Sequence, residues 1–278
     1  MQIHLLGVRG SSPAPGAAFA RHGGNTSCVA VELDDGRIPV VIDAGTGLRQ
    51  LAGLLDGRPF QGSLLLGHLH WDHTHGLPFS TATDHPDARV RVLAPAHDGR
   101  PVDDLLRQAM SPPNFPIGPE DLRGAWTWEA VREGCTEVEG LQVLAREIPH
   151  KGGPTFGYRI SDGRSSFAYL SDHMPQGLGP GPDGLGERHD AAMALAADVD
   201  VLIHDAQYTA EELPSRGHFG HAAAEYAVAL GVAAGARRVV LFHHDPSRTD
   251  REVDGIVARF AEAPLPVEAA VEGAVLAL

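Results

Sequence analysis

Four of the sixteen histidines in this sequence fall within eight positions, in the segment GHLHWDHTHG that runs from residue 67 to residue 76. His68 and His70 are two residues apart, so in an extended chain their side chains point to the same side and could bind one cation. Asp72 and His73 follow in a predicted loop and could bind a second cation close by. Neutral imidazoles with a few carboxylates are the ligands expected for zinc, with manganese or iron as alternatives. The segment therefore predicts a metal site.

Six apolar runs that are typical of β-strands end in histidine or aspartate. Taken singly, an aspartate after a strand is commonly a turn or helix cap, and a lone histidine is commonly a core residue. In α/β sheets, however, ligands collect beyond the carboxyl ends of the strands, so six such ends together favour one shared site. The residues at these ends are Asp43, His68 to His73, His150, Asp172, Asp205 and His243.

The distribution of apolar and turn-forming residues predicts an α/β fold built on long sheets. Two Pro/Gly-rich segments, residues 111–119 and 175–186, are interpreted as surface loops or a lid. No repeat or domain boundary is evident, so residues 1–278 are predicted to form a single domain. The predicted strands are Gln2–Val8, Cys28–Leu33, Ile38–Ile42, Ser63–Leu66, Arg89–Leu93, Leu141–Ile148, Phe156–Ile160, Ser166–Leu170, Val199–Ile203, Arg237–Phe242 and Val267–Leu276. The predicted helices are Thr46–Leu55, Val102–Met110, Ala191–Ala197, His221–Ala234 and Arg251–Ala261.

Composition limits the classes of protein to which the chain can belong. Hydrophobic residues make up 43% and charged residues 21% of the 278 residues, and no run of twenty apolar residues occurs, which excludes a disordered or membrane-spanning chain. The net charge is −14 and Lys151 is the only lysine, so a broad surface for nucleic acid or anionic lipid is disfavoured. The first residues lack the features of a signal peptide, which predicts a cytoplasmic protein. Cys28 and Cys135 are too few for a disulfide framework and are predicted to be buried.

The segment from His68 to His73 matches in full the HxHxDH signature of the metallo-β-lactamase superfamily, and the chain resembles that superfamily from Asp43 to His243. The resemblance implies a four-layer αβ/βα sandwich that holds two divalent metal ions. Carried over position by position, it gives each ion three ligands of its own: His68, His70 and His150 for one, and Asp72, His73 and His243 for the other.

The same resemblance assigns roles to residues around these ligands. Asp172 would bridge the two ions, and Asp43 would orient a ligand histidine without binding metal. His244 is an alternative to His243 as the last ligand. His75 and His173 are interpreted as supporting or plain loop residues.

Within the superfamily, the chain is most similar to the ribonuclease Z and phosphodiesterase branch. The early segments GVRGSSPAPG and GGNTS match that branch, as do His204-Asp205 after a late strand and His221 at a predicted helix start. The resemblance implies that His221, oriented by Asp205, protonates the leaving oxygen, and that both act with Asp72 as catalytic residues. The branch usually has Ser or Thr directly after this histidine, whereas this chain has Ala222.

The chemistry that follows from these residues is hydrolysis of a phosphodiester. Two cations lower the pKa of a bridging water toward neutrality, so hydroxide is available to attack phosphorus, while protonated His221 donates to the departing alkoxide. The sequence contains no GxSxG motif and no activated cysteine that would supply another nucleophile. We expect a small phosphodiester as substrate, cyclic ones included, with no membrane partner. A homodimer is compatible with the resemblance.

Four alternatives stay open at this point. A transfer-RNA 3′-end endonuclease is disfavoured by the net charge of −14, because folded RNA requires many phosphate contacts. A lactonase or other ester hydrolase could use the same metal centre. A binding or sensor protein without catalysis is disfavoured by the complete ligand set. A TIM-barrel amidohydrolase, which also has an HxH motif after an early strand, is disfavoured because Asp72-His73 follow the motif here and because the sequence has many predicted strands.

Overall fold

Fourteen strands in two seven-stranded sheets form the centre of the computed structural model, which describes residues 1–278. The strands are β1 (Gln2–Gly7), β2 (Cys28–Glu32), β3 (Val40–Ile42), β4 (Gln61–Leu65), β5 (Arg89–Ala94), β6 (Ala125–Ala130), β7 (Gly134–Val138), β8 (Leu141–Glu147), β9 (Phe156–Ser161), β10 (Ser166–Leu170), β11 (Val201–Asp205), β12 (Val239–Phe242), β13 (Val267–Ala269) and β14 (Val275–Ala277). The helices are α1 (Leu51–Leu54), α2 (Val102–Arg107), α3 (Asp190–Ala196), α4 (Leu213–Arg216), α5 (Ala224–Ala234) and α6 (Asp250–Ala258).

The two sheets are built in mirrored order along the chain. The first has the order β14-β1-β2-β3-β4-β5-β6 and the second β13-β12-β11-β10-β9-β8-β7. Strands β3 to β6 are parallel, as are β10 to β13. Strand β8 runs antiparallel to β9, which is antiparallel to β10, so β8 points the same way as β10. The carboxyl ends of β8, β10, β11 and β12 therefore lie at one edge of the second sheet.

Apolar side chains fill three spaces between four layers. Ile3, Val40, Tyr158 and Phe242 are among the residues buried where the two sheets face each other. A second cluster lies between the first sheet and α1 with α2, and a third between the second sheet and α3, α5 and α6. Strands covered on both faces need continuous apolar runs, and β3, β10 and β11 are buried along their whole length. The predicted four-layer α/β sandwich is confirmed.

Several predicted elements differ from the observed ones. Strands β6 and β7 were not predicted, because they lie at the edges of the two sheets and their residues are largely exposed and polar. The predicted strand 267–276 is two strands in different sheets, divided at a turn where Gly273 has a φ of +84°. Helix α5 begins at Ala224, so His221 precedes it in a loop. Cys28 is buried as predicted, but Cys135 lies exposed on edge strand β7.

The two Pro/Gly-rich segments have little regular structure. Residues 111–119 follow α2 as an irregular loop, and residues 175–186 contain one short 3₁₀ turn at Pro175–Leu178. None of the helices has the combination of length and hydropathy that crossing a bilayer requires. The assignment of residues 1–278 to a single domain stays a prediction.

Candidate metal centre

The six strand ends identified in the sequence converge on one place in the fold. Strands β3 and β4 of the first sheet end before Asp43 and the 68–73 segment, while the second sheet supplies the remaining residues from β8, β10, β11 and β12. Potential ligand atoms form two groups of four that share Asp172, with all atoms of a group within 4.8 Å of one another. The groups are His68, His70, His150 and Asp172, and Asp72, His73, Asp172 and His243.

The Asp172 carboxylate faces both groups, one oxygen to each. Its Oδ1 lies 3.8 Å from His68 Nε2 and 3.6 Å from His150 Nε2. Its Oδ2 lies 2.8 Å from His73 Nε2 and 3.1 Å from His243 Nε2. Although burial opposes ionisation, His243 and His73 hold the pKa of Asp172 well below its usual range. This is the arrangement that a carboxylate bridging two cations requires.

In the first group, one backbone contact directs the nitrogens of His150. His150 Nδ1 donates to the carbonyl oxygen of Gly220 at 2.7 Å, which leaves Nε2 as the free nitrogen. That Nε2 lies 3.4 Å from His70 Nδ1. The His68 and His70 rings meet edge to face, with centroids 4.3 Å apart. Their spacing of two residues therefore does place both imidazoles on one side, as the sequence predicts.

In the second group, Asp43 fixes His73. His73 Nδ1 donates to Asp43 Oδ2 at 2.7 Å, so His73 Nε2 faces the group. The Tyr169 hydroxyl donates to the same oxygen at 2.6 Å, and the backbone N–H of Gly67 donates to Oδ1 at 2.8 Å. Asp72 Oδ2 lies 3.2 Å from the Nε2 atoms of both His73 and His243. Asp43 thus orients a histidine without entering either group.

The donor atoms fit divalent metal ions. His68 Nε2 and His73 Nε2 are buried and make no well-aligned hydrogen bond within the protein, although His73 Nε2 lies 2.8 Å from Asp172 Oδ2. A buried polar atom without a partner is destabilising, and a cation bound at these nitrogens would satisfy both. Each group offers three imidazole or carboxylate ligands plus the shared carboxylate, which is a suitable set for zinc and for related transition metals.

The turn after β12 selects His243 over His244. His243 Nε2 faces Asp72 and Asp172, whereas His244 Nε2 contacts the carbonyl oxygen of Ala270 at 3.0 Å, away from both groups. His243 has a φ of 60°, and Asp43 and Asp172 also adopt left-handed conformations, with φ of 58° and 56°. Such conformations are uncommon outside glycine and concentrate at functional sites. They turn these side chains inward at three strand ends.

Beside the two groups lies the predicted pair of His221 and Asp205. His221 Nδ1 is 3.0 Å from Asp205 Oδ2, and both residues are buried. The His221 ring stacks on His243 at a centroid distance of 4.9 Å. Although burial opposes protonation, the Asp205 carboxylate raises the pKa of His221 to about 9. With Nδ1 engaged by Asp205, Nε2 is the atom that can donate a proton.

Asp205 is itself held by the backbone. It accepts from the N–H groups of His173 and Gln207, each at 3.0 Å. Ala222 follows His221 and contributes no side-chain hydrogen bond, so Asp205 is the hydrogen-bond partner that orients the imidazole. Asp205, His221 and His243 also lie close enough together to form a third group of potential ligands.

Sequence reasoning assigned no role to several residues that shape the site. A Cβ at Gly10 would lie 2.3 Å from His243 Nδ1, so only glycine fits there. The backbone N–H of Ser11 donates to Asp72 Oδ2 at 2.7 Å. The segment GVRGSS matched the branch in sequence, but its function of packing against ligands depends on contacts across the fold. Tyr169 gave no signal because a tyrosine in an apolar strand is also typical of a core.

The extra histidines lie outside both ligand groups. His75 stacks on Trp71, with ring centroids 5.8 Å apart, in the loop after the ligand segment. His173 joins His189 and His204 through hydrogen bonds of 2.8 Å and 2.9 Å. This series of hydrogen bonds ends at His204, whose Nδ1 donates to the backbone oxygen of Asp205 at 2.7 Å.

Residues 39–244 match the beta-lactamase superfamily domain, which is most of the chain. The chain belongs to the metallo-β-lactamase superfamily. A ribonuclease Z from Bacillus cereus is 24% identical over 271 residues, which cover 82% of this chain and 85% of the relative. The structure of a diphosphatase of the PhnP family matches with a TM-score of 0.69 at 20% identity, over 100% of this chain and 97% of that one. Zn²⁺-bound PqqB from Methylobacterium extorquens matches with a TM-score of 0.66 at 16% identity, over 100% of both chains.

These findings confirm the predicted superfamily and its ribonuclease Z-like branch. The chain is therefore a hydrolase of the metallo-β-lactamase superfamily, and its fold and His/Asp groups are those of a protein that binds divalent metal.

Proposed function

We propose that this protein is a phosphodiesterase that hydrolyses a small phosphodiester at a centre of two divalent metal ions, with zinc as the preferred metal and manganese or iron as alternatives. The observation that carries the proposal is the Asp172 carboxylate, whose two oxygens face separate ligand groups next to the pair of His221 and Asp205. One shared carboxylate between two three-residue ligand sets supports two ions in preference to one.

Each residue of the site has a defined task in this proposal. His68, His70 and His150 would hold one ion, and Asp72, His73 and His243 the other. Asp43 keeps the His73 ring turned toward the centre. When bound, the metal ions supply an activated water at neutral pH and stabilise the negative charge that develops on the phosphoryl oxygens.

Hydrolysis requires one proton to reach the leaving group. As the oxygen of water bonds to phosphorus, the bond from phosphorus to the leaving oxygen breaks, and that oxygen takes the proton from His221 Nε2. Asp205 stabilises the imidazolium before transfer and keeps Nδ1 occupied, so the proton is held at Nε2. The proton that water loses restores the charge on His221. The products are a phosphate monoester and an alcohol.

A transfer-RNA 3′-end endonuclease is the second candidate, because similarity to the ribonuclease Z of Bacillus cereus favours it. The chain has a net charge of −14 and one lysine, which supports a small substrate in preference to a folded RNA. A lactonase or ester hydrolase on the same centre is a third candidate, and it would not depend on His221 in the same way.

A substrate panel distinguishes these functions. Zinc- and manganese-loaded protein is assayed on linear phosphodiesters, cyclic nucleotides, lactones and precursor transfer RNA across a range of salt concentrations. We expect the small phosphodiesters to have the highest kcat/KM with a modest salt dependence, since few phosphates are contacted at once. Efficient cleavage of precursor transfer RNA that falls steeply with salt would favour the endonuclease, and turnover of lactones alone would favour the ester hydrolase.

A further inference from the structure

A large cavity opens directly beside the first ligand group. It has a volume of about 960 Å³, and His68 and His70 form part of its wall. Another part of the wall comes from α2 and the irregular loop that follows it, including Met110 and Phe115. A cavity of this size is sufficient for a nucleoside-sized group. Its position makes it the natural place for part of a substrate whose phosphorus lies at the metal centre.

The wall of this cavity carries no charged side chain. Its 22 lining residues include no aspartate, glutamate, lysine or arginine, although charged residues make up 21% of the chain. The amides of Gln108 and Asn114 and the hydroxyls of Thr46 and Thr74 are the polar groups besides histidine. An ionised group in the cavity would lose water without gaining a partner of opposite charge. The cavity therefore suits an uncharged group.

Aromatic rings are the main apolar feature of the wall. Trp71 and Phe79 remain 65% and 56% exposed, which is unusual for side chains of this size. Phe79 meets Phe115 edge to face, with centroids 5.6 Å apart, while Trp71 is stacked on His75 by one face only. Open ring faces offer planar groups a stacking surface that saturated groups of the same size cannot use equally well.

The position of the cavity decides which end of a substrate can enter it. The His150 ring neighbours both His70 and His221, at centroid distances of 5.2 Å and 5.3 Å. The cavity is lined by His70 but not by His221. Because His221 protonates the leaving oxygen in the proposed reaction, the group that occupies the cavity is the one that stays bonded to phosphorus.

We propose that this cavity binds an uncharged planar aromatic ring, such as a nucleobase, on the ester group that remains on phosphorus after hydrolysis. This inference rests on the proposed phosphodiesterase function. It names the part of the substrate that determines specificity, and it assigns Phe79 and Phe115 as specificity residues.

Three substrates with one leaving group test the proposal: the methyl, cyclohexyl and phenyl esters of p-nitrophenyl phosphate. We expect kcat/KM for the phenyl ester to exceed that for the methyl ester by at least about tenfold, because the cavity buries the apolar surface of the phenyl ring. It should exceed that for the cyclohexyl ester by about three- to tenfold, because only the planar ring stacks. Equal values for the phenyl and methyl esters would overturn the inference but not the proposed function, and a preference for cyclohexyl would assign the cavity to a saturated group.

Two variants and a control connect the preference to the cavity. Phe79→Leu and Phe115→Leu should reduce the phenyl-over-cyclohexyl ratio of kcat/KM toward one. Phe219→Leu is the matched control, because Phe219 is 58% exposed and lies outside the cavity wall. A ratio that falls equally in Phe219→Leu, or in none of the three variants, contradicts the assignment.

Calorimetric binding of the product phosphates to the metal-loaded protein gives a readout without turnover. We expect phenyl phosphate to bind about three- to tenfold more tightly than cyclohexyl phosphate, with the difference lost in Phe115→Leu. If none of the three esters is hydrolysed, the proposed function fails, and the binding comparison alone still decides whether the cavity prefers an aromatic ring.

Discussion

Asp172 is the side chain on which both ligand groups depend, since each of its oxygens faces a different pair of histidines. We predict that Asp172→Ala lowers the bound metal well below two equivalents per chain and abolishes most activity. His75→Ala is the control, because His75 lies outside both groups. Elemental analysis of gently purified protein, together with kcat/KM on a phosphodiester, checks both variants. Equal losses in the two variants would show that the ligand assignment is wrong.

The role that we propose for His221 is proton donation, and a series of substrates with different leaving groups isolates it. His221→Ala should keep its metal yet lose about 10²–10⁴ in kcat on a substrate whose leaving group is a ribose alkoxide. A nitrophenyl phosphodiester should be affected far less, because nitrophenolate leaves without a proton. Asp205→Asn should show the same pattern more weakly, since it misorients the imidazole without removing it.

Metal analysis of the His221 variant separates this role from ligation. Asp205, His221 and His243 also form a group of potential ligands. Loss of metal from His221→Ala, or an equal rate loss on both substrates, would identify His221 as a ligand or a structural residue.

At the residue scale, local spacing accounts for what the sequence could predict. HxHxDH is recognisable because its ligands lie within six consecutive residues. Tyr169 and Ser11 act on the site through partners 126 and 61 residues away, and no local pattern marks such contacts. The choice between His243 and His244 likewise depends on a left-handed backbone turn that the sequence does not specify.

At the scale of elements, the loop after β1 is as important to the second ligand group as the strands are. We predict that Gly10→Ala destabilises the protein by about 1–3 kcal/mol and weakens metal binding, because the added Cβ would displace the His243 ring. Gly255→Ala, in α6, is the control: it has open space around it and should stabilise the fold by up to about 1 kcal/mol.

Thermal unfolding and metal titration measure both glycine variants. The steric argument fails if Gly10→Ala has the stability and metal affinity of the unmodified protein.

The strands that position the site were also the easiest elements to predict. Buried parallel strands such as β11 are continuous apolar runs, and their polar terminal residues are conspicuous in the sequence. The edge strands β6 and β7 alternate weakly, and their pairing partners, not their own composition, make them strands. The division of residues 267–276 between two sheets is a property of the topology and leaves only Gly273 as a local signal.

At the scale of the molecule, metal binding should contribute to stability. The buried Nε2 atoms of His68 and His73 make no well-aligned hydrogen bond within the protein, so a metal that binds them in the folded state alone shifts the folding equilibrium. We predict that chelation lowers the Tm and that added zinc restores it in a concentration-dependent way. At a free zinc concentration of a hundred times the Kd, the free energy of unfolding should rise by about 2.7 kcal/mol.

Because apolar clusters on both sides of each sheet do not depend on metal, the chelated protein should remain folded at room temperature, which circular dichroism would verify. A Tm that is the same with zinc and with chelator would contradict metal binding by the folded chain.

The potential ligands are divided between the two sheets: residues 68–73 follow β4, whereas His150, Asp172 and His243 follow strands of the second sheet. Neither of the two groups that share Asp172 lies wholly within one half of the chain. During refolding, the centre can therefore form only after both sheets exist and have docked face to face. The rate of zinc binding during refolding therefore reports the docking of the two sheets. We expect zinc binding to lag behind the formation of secondary structure.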